Sequence, residues 1–112
     1  MNPVERLREE TERLVEQIDS ATDEQLAGLL EVREEALNYL RLRWAEMSPK
    51  EQEDNRQLLR LIGAHDAVIL DRMRVIRDQA AEELKRIRQA RSQQEAYQRK
   101  GYANSLFFDE YK

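Results

Sequence analysis

The sequence contains no cysteine, which excludes disulfides, zinc–thiolate sites and thiol catalysis and gives no sign of an oxidising compartment. It is also poor in chain breakers. Three glycines and two prolines in 112 residues leave long stretches free to form helix, and the turn-rich pattern of a β architecture is missing. No apolar run approaches the roughly 20 residues needed to span a bilayer. The opening Met1-Asn2-Pro3-Val4-Glu5-Arg6 meets charge at once and lacks the apolar core of a signal peptide. A soluble cytosolic chain with no membrane partner is expected.

What is abundant is charge of both signs, 38% of residues, on a background of helix-forming Leu, Ala, Glu, Gln and Arg. The length suits one domain. Residues 1–71 carry 9 Lys or Arg against 17 Asp or Glu, residues 72–100 carry 9 against 4, and residues 101–112 carry 1 against 2. The acidic first part would repel a phosphate backbone that the basic stretch would otherwise attract, so no nucleic-acid partner is expected.

Periodicity predicts three helices. Val4, Leu7, Thr11, Leu14 and Ile18 recur at steps of three and four, with Pro3 suited to a first turn, giving a helix near 3–19. Thr22 and Gln25 form a capping-box pattern, and Leu26, Leu29, Leu30, Ala36, Leu37, Leu40 and Trp44 supply the apolar face of a helix near 23–46. Met47-Ser48-Pro49, with Glu51 three residues after Ser48, marks the clearest boundary and starts a third helix near 49–95. Its apolar positions 58, 62, 65, 69, 73, 76, 80, 84 and 87 average slightly above 3.6, which predicts a nearly straight rod. At 1.5 Å per residue that rod would be roughly 70 Å long against roughly 25 and 35 Å for the first two, and would overhang them. The expected architecture is all-α: an antiparallel three-helix bundle over 1–96, its third helix long, followed by a C-terminal aromatic tail at 97–112.

Catalytic signatures are weak. His65 is the lone histidine, without the second His or Glu-x-x-His pairing of a metal site. The many carboxylates suit solvated faces better than an acid–base pair, which needs a dry cleft. Gly28, Gly63 and Gly101 stand apart and make no phosphate loop. Gly63 is expected to permit close helix packing rather than a bend, and Tyr39 and Trp44 read as packing residues. No enzyme, cofactor or metal is expected.

The stripe Leu59, Ile62, Ile69, Met73 and Ile76 has two readings, core against the first two helices or a groove that accepts a partner helix through i, i+3, i+4 and i+7 anchors. Most must be core, with part left for binding. Beyond it, Lys85, Arg86, Arg88 and Arg91 lie beside Leu84 and Ile87, an apolar seam that invites a partner or a second protomer. The tail holds five of the seven aromatics. Tyr102, Leu106, Phe107 and Phe108 are too apolar for an ordinary disordered end and are expected to dock, on this chain or on another. Gly101 and Asn104 there suggest a turn or an extended course.

Ala21-Thr22-Asp23-Glu24-Gln25 leading into Leu26 and Leu29-Leu30, then Leu58-Leu59-Arg60-Leu61-Ile62, then Ser105-Leu106-Phe107-Phe108-Asp109, together resemble the FliT family of flagellar export chaperones along nearly the whole chain. The resemblance implies a cytosolic chaperone that holds the filament-cap protein FliD by its C-terminal helical part, prevents premature assembly and hands the client to the export apparatus. It implies no nucleotide or metal. It also implies that a C-terminal segment can cover the binding surface, a role that would fall to the aromatic tail. The competing expectation is a structural or adaptor protein that self-associates, as a homodimer, through the overhanging third helix.

Overall fold

The computed structural model describes the backbone of residues 2–110 and the side chains of residues 2–101. The described residues are mostly helical, with no strand among them. Helix α1 spans Pro3–Glu16, α2 Asp23–Arg43, α3 Pro49–Gly63 and α4 Asp66–Glu110, with single 3₁₀ turns at Ile18–Ser20 and Trp44–Glu46.

Local chemistry sets the helix starts. Asn2 Oδ1 accepts the Glu5 amide at 2.9 Å, and Pro3 fills a first-turn position whose N–H would find no helical acceptor. At α2 the capping box is complete: Gln25 N–H donates to Thr22 Oγ1 at 3.2 Å and Thr22 N–H to Gln25 Oε1 at 3.0 Å. At α3 the Glu51 amide donates to Ser48 Oγ at 3.2 Å.

The expected third helix is long, as its pattern requires, but bent. Between α3 and α4 the chain passes through a turn at Ala64 and His65, where the His65 amide donates to the Ile62 carbonyl, one residue short of the α-helical partner. The nearly straight rod is therefore corrected. The role expected of Gly63 changes with it, since a methyl group there would meet no atom within 4 Å and close packing is not what the glycine provides. Gly63 is the last residue of α3, just before the bend.

Residues 1–76 form one compact unit. Val4, Leu7, Leu26, Leu29, Val32, Ala36, Leu40, Ile62 and Ile69 make its core, with Leu14, Val15, Tyr39, Trp44 and Leu58 packed against it. Two polar residues share this interior. Thr11 returns its hydroxyl to the Leu7 carbonyl at 2.6 Å, and Asn55 donates to the Glu51 carbonyl at 2.9 Å. Antiparallel order is visible in the cross-links. Arg6 near the start of α1 meets Glu35 late in α2 at 3.2 Å, while Arg33 in mid-α2 meets Asp66 at 3.4 Å and Arg72 Nε donates to the Ala21 carbonyl just before α2 at 3.0 Å.

The second unit, from Arg77 onward, is a single helix. Every described residue from Arg77 to Gly101 is exposed. The helical backbone passes Gly101 and Asn104 and continues to Glu110, where the sequence suggests a turn or an extended segment. One glycine costs a helix about 1 kcal/mol relative to alanine, too little by itself to stop it. The side chains of Tyr102, Leu106, Phe107 and Phe108, expected to dock, lie outside the described residues.

Candidate partner-binding surface

The five residues expected to contact a partner divide between interior and edge. Ile62 and Ile69 are core residues, 4% and 7% exposed. Leu59, Met73 and Ile76 are half-buried, packed against that core with part of each side chain left in water. The wall of that core thus involves all five, Ile62 and Ile69 within it and the other three packed against it.

The more open apolar surface lies beside this wall and comes from residues whose placement the sequence pattern misassigns. Leu30 and Leu37, expected on the buried face of α2, are 50% and 43% exposed, and Val32 takes a core position in their place. The reason is the width of the stripe. α2 carries more apolar residues than one contact face can hold, and those rotated furthest from Leu29, Val32 and Ala36 are left at its edge.

Leu30 and Leu37 are two turns apart and therefore on the same side of α2, with Arg33 between them. Because Arg33 reaches Asp66 at the start of α4, that side is the one α4 enters. One turn beyond Asp66 on the same face of α4 stands Leu70, 51% exposed, with half-buried Met73 next along. The ion pair thus joins two helices that each carry exposed leucine, Leu30 and Leu37 on α2 and Leu70 on α4. At 45% and 37% side-chain exposure the pair contributes at most about 1 kcal/mol to stability. It links α2 to the first turn of α4.

A concavity of about 440 Å³ runs between α1 and α2. Leu14, Leu29 and Val32 line its floor, Gly28 leaves it open by having no side chain, and Arg6, Glu10 and Glu35 close one end through mutual ion pairs at 3.2 and 3.3 Å. This space faces away from the Leu30–Leu37 edge, since Gly28 and Glu35 stand on the other side of α2.

The remaining candidates behave as packing or surface groups. Trp44 is half-buried, with the Arg56 guanidinium 5.2 Å from its ring centroid. His65 is half-buried at the α3–α4 bend, and no group of three or more His, Cys, Asp or Glu able to hold a metal occurs among the described residues. No helix among them is long and apolar enough to cross a membrane.

Compared with known proteins, the chain is matched over residues 1–99 by the family model of flagellar protein FliT. No curated protein and no solved structure matches it.

Proposed function

From the premise that this chain belongs to the FliT family of flagellar export chaperones, we propose that it binds the helical C-terminal part of the filament-cap protein FliD in the cytoplasm. There it holds the client apart from premature assembly until the export apparatus receives it. The observation that carries this reading is the exposure of Leu30, Leu37 and Leu70 on the two helices that the Arg33–Asp66 pair joins. A patch of large aliphatic side chains rimmed by polar groups on a small chain marks a protein-binding site.

In this reading an amphipathic client helix lays its apolar face along α2 and the first turns of α4. Leu59, Met73 and Ile76 supply the accessible edge of the contact, and Ile62 and Ile69 the floor that sets its shape. The mixed-sign surface suits release as well as capture, because a small apolar contact gives moderate affinity.

Calorimetry with a C-terminal FliD fragment tests the proposal. Binding with a dissociation constant of about 10 µM or tighter is expected, and no heat at about 50 µM of each protein removes the reading. Deleting residues 97–112 strengthens binding if the tail covers the site, and leaves it unchanged if the tail serves another partner.

A further inference from the structure

A separate surface lies wholly within the helix from Arg77 onward. A helix whose described residues are all exposed is ordinarily polar on every side. This one is not. Ala80, Leu84 and Ile87 recur at steps of four and three, and Leu84 and Ile87 stand 46% and 50% exposed.

At about 100° per residue, the three apolar side chains occupy an arc of about 60°, with Arg91 inside it and Arg77 and Arg88 within about 40° of one border. Lys85 and Arg86 lie about 100° beyond the borders, on the back of the helix. The seam therefore has one arginine edge. Arg88 and Arg91 enter no ion pair among the described residues, and Arg77 pairs there only with its neighbour Asp78, at 3.3 Å in an open position.

We propose that this seam is a docking site for an acidic amphipathic helix of a partner protein. Such a helix would seat apolar residues of three- and four-residue spacing on Ala80, Leu84 and Ile87, and aim Asp or Glu at Arg77, Arg88 and Arg91. The charge decides the occupant. Glu83 lies about 40° beyond the seam's other border, so a parallel second copy would set it against Arg88, but that copy would also set Arg91 against its own image inside the seam, and an antiparallel copy would set one arginine edge against the other; like-charge repulsion opposes both. The apolar contact is short, so carboxylate–guanidinium pairs carry much of the recognition and binding weakens as salt rises.

The test uses the full chain and a labelled synthetic helical peptide of Leu, Glu and Ala, with leucine at three- and four-residue spacing, beside the same peptide bearing lysine for glutamate and a short duplex DNA. Anisotropy should give a dissociation constant on the order of 10 µM for the acidic peptide and at least about tenfold weaker binding of the lysine peptide. Arg88→Glu with Arg91→Glu should weaken the acidic peptide at least about tenfold, and Lys85→Glu with Arg86→Glu, an equal change of charge on the back, less than about twofold. Leu84→Ser with Ile87→Ser should weaken it as the front charge reversal does, with circular dichroism confirming that helicity is kept.

Equal loss from the front and back reversals overturns the proposal, because a diffuse field then explains binding. So does displacement of the peptide by duplex DNA with the same dependence on Arg88 and Arg91. A dimer in sedimentation that Leu84→Ser and Ile87→Ser dissolve would give the seam to a second copy and overturn it too. None of the substituted residues lies in residues 1–76, so the result stands apart from the outcome with FliD.

Discussion

Ile62 and Leu30 are aliphatic residues of one compact unit, yet their substitutions should part in kind. Ile62 is 4% exposed, and cutting it to alanine leaves a cavity in the core. A loss of about 2–4 kcal/mol is expected for Ile62→Ala in urea unfolding. Leu30→Ser and Leu37→Ser remove side chains already half in water, so stability should stay within about 0.5 kcal/mol of the parent. The same two substitutions together should weaken FliD binding about tenfold or more in calorimetry, a loss of roughly 1.4 kcal/mol or more. If Leu30→Ser destabilises the fold as Ile62→Ala does, the leucine is core and the patch is not a site. Thr11 offers a control of another sort. Its hydroxyl bonds a carbonyl of its own helix, so Thr11→Val removes a donor without orphaning a buried group, and stability should change by less than about 1 kcal/mol.

At the scale of the element, stability turns on how each helix starts and stops. Thr22→Ala breaks the capping box of α2 and should cost about 1 kcal/mol, read as a lower urea midpoint at unchanged slope. Gly63→Ala should act the other way. Open space awaits the added methyl group, its φ is not positive, and alanine favours the helical end of α3, so a gain of up to about 1 kcal/mol is expected. Destabilisation by Gly63→Ala would show that the bend at Ala64 and His65 depends on the glycine. These cases also show what the sequence discloses. Helix starts are legible because Thr22 and Ser48 must satisfy amides that have no other partner, and Pro3 and Pro49 suit a first turn, whereas the cap that Asn2 supplies to α1 was not read from the sequence. The bend is illegible because the apolar stripe keeps its period across it: Leu58, Ile62, His65 and Ile69 remain in step while the hydrogen bonds lapse. The site was half legible. The stripe through Ile62 and Ile69 is plain in the spacing, but which of many leucines on α2 face inward depends on where α1 and α4 lie, and Leu30 and Leu37 are separated from the core by rotation alone.

On the scale of the whole molecule, the cooperative structure is concentrated in residues 1–76, which hold every buried residue among those described. The helix from Arg77 onward hides nothing among its described residues, so its stability rests on propensity and neighbouring side chains along the rod, and isolated helix of that kind is marginal in water. Two consequences follow from one cause. Amides of residues 80–101 should exchange with solvent far faster than those of Leu29, Val32 and Ala36, whose protection should approach that of global unfolding. A chain ending at residue 90 should then unfold in urea at the same midpoint and with nearly the same slope as the full chain, since the slope follows the surface newly exposed and the deleted segment has little to expose. A slope that fell in proportion to the 22 residues removed from 112 would mean that the far helix belongs to the cooperative unit. In that event the seam of Leu84 and Ile87 would already have an occupant within the chain, and both the docking proposal and the division of stability would fail together.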